Sequence, residues 1–118
     1  MGELPSAGDV AWAELDPVHG TEQGGQRPVL VLSPRAYHER SRRALICPIT
    51  SKLREWPFHV ALPEGLRISG MVLVDQVRMI DRGARPFRII GSVPEATLAE
   101  VRARLAVLMG LPLGGVSS

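Results

Sequence analysis

A carboxylate (Glu22), an amide (Gln23) and a guanidinium (Arg27) stand together in the polar stretch Asp16–Pro28, between two apolar runs. Two hydroxyls, Thr50 and Ser51, end a later apolar run, and Asp75-Gln76 interrupts another. A guanidinium stays charged and presents a fork of donors that fits a phosphate. A hydroxyl adds one more donor. Held in place, such donors stabilise negative charge developing in a transition state. The structural alternatives are simple. Arg27 can pair with Glu22 or Asp16, Thr50 can be an ordinary strand-end hydroxyl, and Asp75 can be a buried acceptor. Residue types alone leave both readings open.

Other chemistries lack their motifs. His19, His38 and His59 show no ligand spacing and there is no cysteine cluster, so no metal site and no cofactor is expected. Each histidine reads as a surface or loop residue. No P-loop and no Gly-x-Ser-x-Gly elbow is present. Cys47, the one cysteine, reads as a small core residue and fits a reducing, cytoplasmic setting. No segment has the roughly 18 apolar residues that span a membrane, and the N-terminus has no secretory pattern. The net charge is only +2, but thirteen of the fourteen basic residues are arginines, Lys52 being the exception. Arginine suits phosphate and base recognition, although biased composition explains the count equally well. Arg82, Arg85 and Arg88 can follow a phosphate backbone or form a solvated face.

The elements that must position these groups are short. Val10–Leu15, Val29–Leu32, Ala44–Ser51, Phe58–Leu62, Met71–Ile80 and Phe87–Gly91 read as strands, most of them bounded by proline or glycine. Pro48 cannot donate to a ladder, so an edge or a bulge is expected there. Met71–Ile80 reads as one central strand, with Asp75 or Gln76 forced towards the core. Ser33–His38 suits one helical turn. Leu98, Val101, Leu105 and Leu108 recur at helical spacing, Glu100 and Arg104 can pair, and Gly110 and Pro112 stop the helix. Its start is either a Ser92/Glu95 capping box or Pro94 in the first turn. The length fits one domain over 1–118, with a core of about 8–110 and loose ends. The expected fold is mainly β (α+β), a small barrel or strongly bent sheet of five to seven strands with a C-terminal amphipathic helix.

In order along the chain stand Gly8-Asp9-Val10-Ala11-Trp12, Asp16-Pro17, Gly20-Thr21-Glu22-Gln23, Arg27–Pro34, Cys47–Ser51, Trp56-Pro57-Phe58 and Gly70–Arg78. This series resembles the MazF/PemK/Kid toxins of bacterial type II toxin–antitoxin systems, from about Gly8 to Gly110. The resemblance implies an SH3-like barrel, a homodimer, and a sequence-specific, metal-independent endoribonuclease cutting single-stranded RNA. It places the catalytic arginine on Arg27 and the catalytic threonine on Thr50. Glu22 falls on the glutamate of the family's Gly-Ser-Glu-Gln motif, with Thr21 keeping the hydroxyl of the serine. Substrate contacts are expected from Glu22, Thr21, Gln76, Ser51 and Arg85. Trp12, Trp56 or Phe58 can stack on bases, and Arg78 and Arg88 can add phosphate contacts. The resemblance also implies a MazE-like antitoxin whose C-terminal segment covers the groove. The related CcdB toxins share the fold and bind gyrase without cutting RNA. The ribonuclease reading is favoured here by Arg27 and Thr50.

Overall fold

A computed structural model describes residues 3–15 and 25–112 of the 118-residue chain. Thr21 and Glu22 lie outside the described residues, as do Gln23 and His19. Among the described residues seven strands are antiparallel: β1 (Asp9–Glu14), β2 (Gln26–Val31), β3 (Arg43–Thr50), β4 (His59–Ala61), β5 (Met71–Leu73), β6 (Arg78–Asp81) and β7 (Phe87–Ser92). One turn of helix, α1 (Arg35–His38), precedes β3, and α2 (Glu95–Leu108) ends the fold. The strand order is β4-β5-β3-β2-β1-β7, with β6 also on β3. The fold is thus mainly β with one long C-terminal helix, and the sheet is open rather than a closed ring. Among the described residues no helix is long and apolar enough to cross a membrane.

Alternation along the central strands separates two cores. Val10, Leu30, Cys47 and Ile49 face one cluster, which Val60, Val72, Val74, Leu98 and Val101 complete. Ala11, Ala13, Val29, Val31, Ala44 and Ile46 face the other, with Ile80 and Phe87. That is why Val29-Leu30-Val31 reads as an unbroken apolar run, since both faces of β2 are covered and all three residues are fully buried. Leu98 and Val101 seat α2 on the first cluster, whereas Leu108 is exposed, so the buried stripe stops a turn earlier than the spacing implies.

The expected strand over Met71–Ile80 is broken. A 3-10 turn, Val74–Gln76, divides β5 from β6, and both halves pair with the same edge of β3. Val74 is buried, while Asp75 and Gln76 both reach solvent. The turn avoids the desolvation that a continuous strand would impose on one of them. It lies opposite Cys47 and Pro48, where β3 changes partner, so the proline falls where that ladder is interrupted. Pro48 is therefore inside the most-paired strand rather than on an edge, and the irregularity lies across from it.

The start of α2 uses neither expected device. Ser92 belongs to β7, and Pro94 is the cap residue, with no side-chain cap bond. Its end is a Schellman motif: Leu111 N–H donates to Ala106 O (2.8 Å) and Gly110 N–H to Val107 O (3.0 Å). Gly110 has φ +76°, which explains glycine there. The expected Glu100–Arg104 ion pair forms at 2.9 Å.

His38 is not a surface histidine. It is buried, its Nδ1–H donates to the Pro5 carbonyl (2.7 Å), and its Nε2 accepts from the Ser33 hydroxyl (2.7 Å). Ser33 Oγ in turn accepts the Leu45 N–H (2.9 Å). The carbonyl can only accept, so this chain of bonds fixes the neutral ring tautomer. It ties the N-terminal segment, α1 and β3 together.

Candidate active site

Continued two residues past its last pair, the register of β2 on β3 sets the two principal candidates on one face. Val31 opposes Ile46 and Val29 opposes Pro48. Two residues further along each strand stand Arg27 and Thr50. In an antiparallel pair, opposed residues share a face, so both project from the face that carries Val29 and Val31. The neighbouring strands extend this row: Ala13 opposes Arg27, Phe87 opposes Ala13, and Met71 opposes Thr50. Arg27 and Thr50 are both half-buried, enough to limit their motion while leaving access.

The Thr50 hydroxyl is oriented by its own backbone. Oγ1 accepts the Lys52 N–H at 3.2 Å, an i to i+2 turn bond that leaves the O–H proton available to donate. Gly70 presses against this corner. A side-chain carbon there would meet Thr50 O at 2.1 Å, and Gly70 has φ +133°. Only glycine fits both restraints. In the sequence the available signal for Gly70 is its place directly before the apolar run Met71–Ile80.

The other expected contacts are spread around this row. Ser51 is exposed just after Thr50, and Gln76 is exposed at the end of the 3-10 turn. Arg85, in the β6–β7 turn, lies 3.7 Å from Glu14 of β1. Arg78 opposes Ile46 and so shares the face of Arg27 and Thr50. Trp12 and Arg88 oppose each other on β1 and β7, next to Ala13 and Phe87 but on the opposite face. They are turned away from the Arg27–Thr50 row, because successive strand residues alternate. Arg82 is a clamp rather than a phosphate ligand, with Nη2 donating to the carbonyls of Ser41 (2.7 Å) and His38 (3.3 Å).

Burial pushes the Cys47 thiol up to about 12, reinforced by the Asp75 carboxylate, so it stays protonated and inert at neutral pH. Among the described residues, no three His, Cys, Asp or Glu side chains are grouped so as to hold a metal ion.

The fold is shared with solved structures of MazF toxins. A crystal structure of MazF from Deinococcus radiodurans matches with a TM-score of 0.85 at 42% identity, covering 92% of this chain and 99% of that one. MazF in a MazE–MazF complex from the same organism matches with a TM-score of 0.84 at 42% identity, covering 93% and 99%. The chain belongs to the PemK-like, MazF-like toxin family of type II toxin–antitoxin systems, with residues 6–109 matched. Among its relatives, the endoribonuclease toxin MazF of Escherichia coli K12 is 37% identical over 91% of this chain and 96% of its own. Endoribonuclease PemK of Escherichia coli is 38% identical over 86% and 80%.

Proposed function

We propose that this endoribonuclease toxin cuts single-stranded RNA at short sequences without a metal ion, leaving a 2′,3′-cyclic phosphate and a 5′-hydroxyl. The observation that carries the reading is the shared face of Arg27 and Thr50 at the end of the β2–β3 ladder. A scissile phosphate between them meets a charged fork and a neutral O–H donor. The 2′-oxygen attacks the adjacent phosphorus, the bond to the 5′-oxygen breaks, and charge builds on the non-bridging oxygens. Donors held there act at the transition state rather than on the ground state. Arg27 is the electrostatic stabiliser in this scheme, because a guanidinium stays charged and has no lone pair to take a proton. The proton from the 2′-hydroxyl goes to Glu22 or to solvent within the positioned geometry, and the departing 5′-oxygen takes a proton from solvent.

The RNA is single-stranded because a duplex hides its base edges. Ser51, Gln76 and Arg85, with Thr21 and Glu22 from the segment between β1 and β2, contact it. The protein works as a homodimer in the cytoplasm. Its cognate MazE-like antitoxin lays its C-terminal segment over the same groove. The MazE–MazF complexes of similar toxins support an antitoxin partner.

The test is incubation of purified protein with a long RNA in the presence of chelator, followed by mapping and chemical analysis of the ends. Cyclic-phosphate ends are expected, and Arg27→Ala should lose about 100- to 1000-fold in rate. Absence of cleavage by the wild-type protein in chelator would refute the scheme.

A further inference from the structure

One strand beyond Thr50 the molecule has an open cleft that the reaction above does not use. Glu55, Trp56, Pro57, His59, Met71 and Arg104 line it, and it holds about 430 Å³, ample for one planar base. Met71 is the residue paired with Thr50, so the cleft adjoins the proposed scissile phosphate.

The β3–β4 loop that forms its wall is exposed yet pinned. Arg54 N–H donates to the Met71 sulfur at 3.3 Å. Trp56 Nε1–H donates to Asp75 Oδ2 at 2.9 Å, and its ring lies 6.1 Å from that of Phe58. The Arg104 guanidinium holds the Pro57 carbonyl. Trp56 is thus 50% exposed but fixed in orientation. A large aromatic left in water and held still is a ready stacking surface.

The charges favour a base over a phosphate. Arg104 is occupied by Pro57 and by Glu100 at 2.9 Å. Glu55 is exposed and, among the described residues, its carboxylate has no partner. It would repel a phosphate and accept N–H groups. His59 Nδ1 is buried with no hydrogen-bond partner. An acceptor, Glu55, thus stands beside an aromatic ring, Trp56.

We infer that this cleft is a nucleobase subsite of the RNA site. Trp56 stacks a base flanking the cut, and Glu55 accepts from its exocyclic amino group, so adenine, cytosine or guanine is preferred to uracil there. The inference rests on the RNA-cutting function proposed above.

The experiment maps cut sites on a long RNA and measures kcat and KM for wild type, Glu55→Gln, Trp56→Ala and Trp56→Phe. Glu55→Gln is an exposed, nearly isosteric change that leaves the fold intact. It should relax the preference for amino-bearing bases at one position beside the cut by about tenfold. Trp56→Ala should raise KM about tenfold with kcat retained, and Trp56→Phe should recover most of the loss. Wild-type cut patterns and KM in both Glu55→Gln and Trp56→Ala would overturn the subsite while leaving RNA cleavage standing. So would a uniform gain in RNA affinity by Glu55→Gln with an unchanged pattern, because that is charge repulsion alone. Failure of the wild-type protein to cut RNA would remove the subsite together with the function.

Discussion

The two ends of β3 are built in opposite ways. At the Arg43 end, polar groups are committed to one another. His38, Ser33, Pro5 and Leu45 form a buried chain of bonds, Arg82 clamps two carbonyls, and Ser41 Oγ accepts the Arg43 N–H at 3.0 Å. At the Thr50 end, the half-buried Thr50 hydroxyl is oriented by the Lys52 N–H with its own proton left to donate, and the exposed Glu55 carboxylate has no partner among the described residues. The contrast separates support from chemistry. One end fixes the strand, and the other can then present groups in place before a substrate arrives. Preorganised donors are what give such groups their effect.

Substitutions at each end should break this contrast in different ways. The largest effect is expected from Arg27→Lys, which keeps the charge and loses the donor fork. Its RNA cleavage rate should fall about 100-fold with an unchanged melting curve. A rate equal to wild type would mean that charge alone suffices. Gly70→Ala comes next and acts on both properties. The added carbon collides with Thr50 O, so the hydroxyl corner must move. A displacement near 1 Å can cost up to about 100-fold in rate, and the strained φ should lower stability by about 1–3 kcal/mol. Single-turnover kinetics and chemical denaturation read the two separately.

His38→Ala tests the committed end. It strands the Pro5 carbonyl and opens a gap, so stability should drop by about 1–3 kcal/mol. The rate per folded molecule should stay unchanged at temperatures well below the melt. A lower kcat there would show that the two ends are coupled.

Asp81→Asn should have the smallest effect and a pH signature. The Gly83 N–H, followed by Arg42 and the Ala84 N–H, holds the Asp81 carboxyl below its ordinary value despite some opposing desolvation. A depressed folded value stabilises the protein above the unfolded value near pH 4, and that contribution disappears as pH falls through the folded value. Wild type and variant should therefore melt apart at neutral pH and converge in acid.

Much of this arrangement was legible in the chain. Short apolar runs punctuated by proline and glycine marked the strands, and helical spacing marked α2. Arg27 and Thr50 were legible as donor types at run ends. What escaped detection depends on contacts between distant residues. The break at Asp75-Gln76 is invisible in a continuous apolar run, because relief of desolvation competes there with strand pairing. The burial of His38 depends on Pro5 and Ser33 arriving beside it. The Trp56–Asp75 bond and the pressure of Gly70 on Thr50 likewise join segments far apart in sequence.

The open strand path leaves sheet edges that a cell making much of this protein must tolerate. Among the described residues β4 is one edge, three residues long between Pro57 and Pro63. β7 is another, lying between Pro86 and Pro94 with an irregularity where its register on β1 skips Ile90, and β6 pairs only with β3. Shortness, flanking prolines and a bulge are the means by which natural sheets refuse edge-to-edge growth. At β4 and β7 the fold thus carries its own guard against pairing with a second copy of the sheet.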